Sequence, residues 1–212
     1  MSKYNTLNEN PFSVHQKIVQ LVGEQKKVLD VGCATGHVSK KLYTNKCDVI
    51  GIELDEKSSQ EAHKYCEEVI IGDVESIELK DKYLNYFDFI IFADVLEHLK
   101  DPLEVLNRLS KYLMDNGCII ISLPNIANWR IRLKLLIGNF DYESYGILDE
   151  GHLRFFTDKT AKKLIQDAGL EIYKFDVTVG DVNRLAGLFH SFGLIWPNLL
   201  AYQFLIIAKK SS

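Results

Sequence analysis

An α/β fold built on a mostly parallel sheet is predicted by three observations. Short β-rich runs alternate with amphipathic helical segments along most of the chain. Phe87–Ala93 is almost wholly apolar, as expected of a strand covered on both faces. The chain closes with two β-rich runs that have less helix between them. Alternation of β and α places helices on both faces of such a sheet, and ligands then bind beyond the carboxyl ends of the strands.

The elements follow in order. A helix over Val14–Val22 precedes an apolar strand, Lys27–Val31. A helix at Val38–Tyr43, a strand at Asp48–Ile52, a helix at Glu56–Tyr65 and a short strand at Glu68–Ile71 come next. After Phe87–Ala93, Asp101 is suited to cap a helix, with Pro102 at its first position and Glu104 as capping-box partner. Leu103, Leu106, Leu109 and Leu113 recur there at helical spacing. Asn116-Gly117 turns the chain into a strand at Cys118–Leu123. Thr157 caps a late helix carrying Leu164 and Ile165 and ending at Gly169, and Glu171–Val179 and Gln203–Ala208 complete seven strands.

The 212 residues suit one compact domain, residues 1–212. No apolar run approaches the roughly 20 residues that span a bilayer, and Met1–Phe12 is polar, so a cytoplasmic protein is expected. The four cysteines, Cys33, Cys47, Cys66 and Cys118, show no zinc spacing and read as thiols of a reducing compartment. No metal is expected, which argues against a metal-dependent enzyme of the catechol type. A net charge of −4 argues against a general nucleic-acid binder.

The chemistry should lie just after each strand. The first ends in Asp30-Val31-Gly32-Cys33-Ala34-Thr35-Gly36, where glycines let backbone approach a ligand and the next helix offers free N–H groups. With Asp30 nearby, this turn suits a zwitterionic amino-acid tail. A dinucleotide turn would read G-x-G-x-x-G, but Ala34 and His37 occupy the second and third glycine positions, so a nicotinamide enzyme fits poorly. Glu53 ends the second strand, where an acid can accept from a ribose diol, with apolar Leu54 beside it. Asp73 ends the third and can accept from an adenine amine, with Val74 against the ring; Asp94, Val95 and His98 follow the fourth.

On VLDVGCATG, IGIELD, IIGDVE, FDFIIFADVLEHLKDP and GCIIISLPN, the sequence resembles the class I S-adenosylmethionine-dependent methyltransferases over about residues 10–180. That resemblance implies a Rossmann-like, seven-stranded, mostly parallel sheet with an antiparallel C-terminal strand. It also implies S-adenosylmethionine as cofactor. Asp30, Gly32, Cys33 and Gly36 would then cradle its methionine part. Glu53 and Leu54 would take the ribose, Asp73 and Val74 the adenine, and Asp94 and Val95 the floor beneath the sulfonium. Cys33 stands where the family often has glycine.

The second half, with SLPN, Trp129, Arg130, Gly138, Phe140 and GHLRFFT, is similar to bacterial small-molecule methyltransferases of surface-sugar or ubiquinone-type pathways. It also resembles methyltransferase-like regulatory proteins of methionine metabolism. The acceptor implied is a small molecule, such as a hydroxyl of a sugar or lipid-linked compound; a non-catalytic S-adenosylmethionine-binding module is the alternative.

His98 and His152 are the candidate general bases, against the plainer reading that His98 shapes its loop. Arg154 is a candidate anchor for an anionic group or a structural salt bridge. The stretch 124–156 is too long for a simple connection and reads as a lid, with a helix over Ile126–Ile137. The apolar insertion Asp181–Leu200 reads first as core packing, and otherwise as a homodimer or membrane-surface contact.

Overall fold

The computed structural model describes residues 13–180 and 186–211. Asp181–Leu185, part of the apolar insertion, and the polar Met1–Phe12 lie outside the described residues. Seven strands form one sheet: β1 (Lys27–Val31), β2 (Asp48–Glu53), β3 (Glu68–Ile71), β4 (Phe87–Ala93), β5 (Leu113–Pro124), β6 (Leu170–Thr178) and β7 (Gln203–Lys210). Their order is β3-β2-β1-β4-β5-β7-β6. The pairs from β3 to β5 are parallel, and β7 runs antiparallel between β5 and β6. The sheet reverses direction of growth between β1 and β4, and such switch points open a crevice at the strands' carboxyl ends.

Continuous apolar runs arise because both sheet faces are covered. Ile91, Ile120 and Leu205 point to one face with Val14, Ile18 and Val22 of α1 (Val14–Val22) and Val38 and Leu42 of α2 (His37–Thr44). Their neighbours Ile90, Ile119, Ile121 and Ile206 point to the other, against Val105, Leu106 and Leu109 of α4 (Pro102–Ser110) and Leu164 and Ile165 of α6 (Asp158–Asp167). Each such side chain contributes about 1.5–3 kcal/mol by leaving water.

Several boundaries differ from expectation. The helix after β2, α3 (Glu56–Ala62), stops short of Tyr65. Leu113 begins β5 instead of ending α4; Asn116-Gly117 forms an irregularity inside that strand, between the pairs Phe87–Leu113 and Phe89–Cys118. Asp101 caps α4 through the Glu104 N–H as expected, but the Glu104 carboxylate pairs with Arg108. Glu75 instead accepts from the Asp101 N–H, tying the helix start to the loop after β3. Thr157 caps α6 with Thr160 in a reciprocal box.

The 124–156 stretch leaves the sheet at Pro124 and returns at Phe156, its neck closed by the Asn125–Phe156 bridge. Its helix α5 covers only Trp129–Leu136. Ile131, Ile147 and Leu148 give it a small core of its own beside Tyr202. The later apolar insertion contains α7 (Ala186–Ile195) and α8 (Pro197–Leu200). Phe192, Leu194, Ile195 and Trp196 are exposed rather than packed in the core, and the close approach to Val177 and Val179 is made at Gly193. Leu185 lies outside the described residues, and only the backbone of Leu188 and Phe189 is described. No helix among the described residues is long and apolar enough to cross a membrane.

Candidate active site

A cleft of about 790 Å³ opens along the carboxyl ends of β1 to β4. Gly32, Glu53, Leu54, Asp73, Val74, Asp94, Val95 and His98 all line it, joined by Thr35 and, from the far side, Leu153. Asp30, Cys33, Gly36, His152 and Arg154 do not.

The turn after β1 is folded for close approach. Gly32 has φ +68°, and a Cβ there would lie 2.7 Å from a methyl of Val95, so only glycine lets these strand ends meet. The Ile52 carbonyl accepts from both the Gly32 and Cys33 N–H groups. Gly36, at φ +80°, is the N-cap of α2 and sits against Ala62. Thr35 lines the cleft, and its Oγ1 is buried with no hydrogen-bond partner among the described residues.

Glu53 braces this turn. One carboxylate oxygen accepts from the Ala34 N–H and the other from the Asp55 N–H, each at 2.8 Å. Each oxygen keeps a second lone pair for a ligand. Asp30 lies below, buried in β1, and accepts from Ser39 at 2.6 Å. Burial pushes its carboxyl up to about 6, against the Ser39 hydrogen bond that lowers it, with the Glu53 charge adding to the rise. Cys33 turns away from the cleft: its thiol packs against Gly51 and Cys66, and the hydrogen bond with Cys66, then burial, raise its pKa.

On the adenine side of the expected site, Asp73 accepts from the Glu75 N–H. The Arg108 guanidinium of α4 donates to the Val74 and Ile77 carbonyls and holds this loop. Asp94 adopts φ +56°, a region that Asp tolerates better than most residues. Ser122 of β5 donates to one of its oxygens, and the Gln203 amide of β7 donates to both, at 2.8 and 2.9 Å. Arg108 and Gln203 carry no signal of this role in the sequence, since they reach the site only through packing.

The histidines come together. The rings of His98 and His152 meet edge to face at 4.8 Å between centroids. His152 is buried, and its pKa is lowered by that burial and by His98. Beneath them Glu97 is fully buried, neither carboxylate oxygen has a hydrogen-bond partner, and burial holds its pKa well above the usual carboxylate range. The Glu97 carbonyl accepts from the Leu153 and Arg154 N–H groups, fastening the end of the 124–156 stretch to the cleft. The Arg154 side chain is exposed and donates to the Lys100 carbonyl.

The methyltransferase domain model matches residues 7–174. The chain belongs to that methyltransferase family. A curated relative, a ubiquinone biosynthesis O-methyltransferase of Psychrobacter arcticus, is 29% identical over 164 residues, 73% of this chain and 63% of its own. The chain thus spans less than two thirds of that relative's length. Among solved structures, a SAM-dependent methyltransferase from Archaeoglobus fulgidus superposes with TM-score 0.68 at 16% identity, covering 98% of this chain and 96% of that one. An S-adenosylmethionine-dependent methyltransferase from Mesorhizobium loti does so with TM-score 0.66 at 13% identity, covering 92% and 95%. The expected Rossmann-like methyltransferase fold is therefore present, and S-adenosylmethionine is the family's methyl donor.

Proposed function

We propose that this methyltransferase alkylates a hydroxyl oxygen of an apolar, lipid-linked small molecule. The carrying observation is the exposed apolar surface of the 124–156 stretch. Leu133, Leu135, Leu136 and Ile137 project from α5 into solvent, Leu136 at 81% and Ile137 at 79% exposure. Arg130 and Arg132 are exposed on the same helix. Large apolar side chains beside arginines suit the boundary of an anionic membrane. The names of the curated relatives, ubiquinone biosynthesis O-methyltransferases, support an acceptor of this class.

When bound, S-adenosylmethionine supplies an electrophilic methyl group; the protein's part is to position and desolvate. In this reading Gly32 and Thr35 line the methionine end, with Asp30 and Gly36 shaping the turn behind them. Glu53 takes the ribose, Asp73 and Val74 the adenine, and Asp94 and Val95 the floor. Glycine at position 32 fits because a Cβ would fill the cradle. His98 is the histidine that faces the acceptor, since it lines the cleft while His152 stands behind it. The 124–156 stretch serves as the acceptor-side cap.

Flotation with anionic vesicles, paired with methylation assays, tests the proposal. The wild type should float and should methylate a catechol bearing an isoprenoid tail faster than a water-soluble sugar. A double change, Leu136→Glu with Ile137→Glu, should abolish flotation while S-adenosylhomocysteine affinity persists. A protein that stays in the aqueous fraction and methylates a free sugar would replace this acceptor with a soluble one.

A further inference from the structure

Two thiols meet behind the turn that follows β1. Cys33 belongs to that turn, and Cys66 lies between α3 and β3. Both are free and both are buried. They converge over Gly51 of β2. A Cβ on Gly51 would stand 2.7 Å from Cys33 Sγ and 3.5 Å from Cys66 Sγ, so the two sulfurs share the room that a side chain there would fill. Glycine inside a strand weakens it and commonly marks the close approach of another group. Here that group is a pair of sulfurs. The two are not equivalent. Cys33 donates its S–H to Cys66; this hydrogen bond lowers the Cys66 pKa against the opposing effect of burial, and raises that of Cys33. The thiolate is the nucleophilic form, so Cys66 is the sulfur that reacts first.

The backbone around Cys33 is tied on every side. The Gly32 and Cys33 N–H groups donate to the Ile52 carbonyl at 2.8 and 3.1 Å, and the Ala34 N–H donates to Glu53 at 2.8 Å. Gly36 sits so close to the end of α3 that a Cβ there would stand 3.0 Å from Ala62 Cα and 3.3 Å from the Tyr65 ring. A shift of Cys33 is therefore passed to Gly32, Thr35 and Glu53, which line the cleft.

We propose that Cys33 and Cys66 form a reversible oxidative modification site whose disulfide weakens cofactor binding at the adjoining turn. The oxidant is a hydroperoxide, of which hydrogen peroxide is the simplest. The Cys66 thiolate attacks one peroxide oxygen, the O–O bond breaks, and the departing hydroxide takes up a proton as water. The Cys33 sulfur then attacks the Cys66 sulfenic acid. An S–S bond forms, the S–O bond breaks, and the oxygen leaves as a second water carrying the Cys33 proton. The net change is two thiols and one peroxide to one disulfide and two waters: the peroxide gains the two electrons that the sulfurs lose. A covalent S–S bond is shorter than the hydrogen-bonded contact it replaces, so Cys33 is drawn toward Cys66. The loss of cofactor affinity rests on the reading of this turn as the donor site; the disulfide itself does not.

The experiment treats the reduced full-length protein, freed of reductant, with hydrogen peroxide. Non-reducing peptide mapping should find Cys33 joined to Cys66. Calorimetry should then show S-adenosylhomocysteine bound at least about 10-fold more weakly, with dithiothreitol restoring the affinity. In a glutathione redox buffer, S-adenosylhomocysteine should shift the pair toward the dithiol, because coupling between two sites is reciprocal. Cys66→Ala should bind S-adenosylhomocysteine as the reduced wild type does and lose the response to peroxide. Should that variant fail to fold, the wild-type peptide map and its reversal by dithiothreitol decide. Absence of the Cys33–Cys66 link, or a peroxide response that persists in folded Cys66→Ala, would overturn the site. A link that leaves affinity unchanged would overturn its control of cofactor binding. Failure of the donor-site reading shows separately, in reduced protein, as an affinity that Gly32→Ala does not change.

Discussion

The two halves of the cleft are built differently. On the donor side, the residues follow the ends of successive parallel strands: Gly32 after β1, Glu53 at the end of β2, Asp73 after β3 and Asp94 after β4. Each is placed by the strand it terminates, and the register of β1 with β2 and β4 brings those ends level. On the acceptor side, placement depends on contacts between distant segments. Asn125 donates to the carbonyls of Pro197, Asn198 and Ala201, Gln203 pins Asp94, and Glu97 holds the backbone of Leu153 and Arg154. The proposed donor site is thus a property of the sheet, whereas the proposed acceptor site is a property of how two excursions fold back on it. An acceptor half built this way can vary while the donor half stays the same.

The largest effect that would break this division is expected at Gly32. Gly32→Ala adds a Cβ 2.7 Å from Val95 at a positive φ. It should weaken S-adenosylhomocysteine binding by more than about 100-fold, or about 3 kcal/mol, in calorimetry. The histidine cluster and the 124–156 stretch should keep their hydrogen-exchange protection. Loss of protection there as well would show that the two halves are not separable.

The converse change is Asn125→Ala. It removes the amide donor of the Pro197 and Asn198 carbonyls, while the Ala201 carbonyl keeps the Asn128 amide, and should cost roughly 1–2 kcal/mol in urea unfolding. Cofactor-product affinity should change less than about threefold, since Asn125 touches none of the donor-side residues. A matching collapse of that affinity would mean that the acceptor half braces the donor site.

A smaller and pH-dependent effect sharpens the donor side. Asp30 is raised to about 6 in the folded chain, chiefly by burial. The folded state therefore holds this proton after the unfolded state, near 3.9, has lost it. The sign follows: stability declines as pH rises from about 4 to about 6, by on the order of 3 kcal/mol, and levels off above that. Asp30→Asn should flatten this decline in thermal melts and leave the protein more stable at pH 7 without ligand. An unchanged slope would assign the pH dependence to other groups.

Legibility in the sequence follows the same division. The Asp30–Gly36 turn, Glu53, Asp73 and Asp94 were readable because a strand end fixes where the next residue lies, and apolar runs mark strand ends. The sequence shows the position of Cys33 but not that its thiol turns toward Gly51 and Cys66, which is a matter of packing. Phe192, Leu194, Ile195 and Trp196 were read first as core because hydrophobicity does not say which face a helix presents; Gly193 makes the close approach instead. His98 and His152 are each visible in the sequence, but their meeting is not, since they lie far apart in the chain.

The sequence by itself determined the sheet, its seven strands and the glycine turn, because periodicity, caps and chain reversals act over a few residues. Only the tertiary structure decided that Gln203 holds Asp94, that Arg108 clamps the loop after β3, and that one carboxylate and two imidazoles converge. Those contacts join segments far apart in the chain, and their geometry follows from packing, which no local pattern encodes.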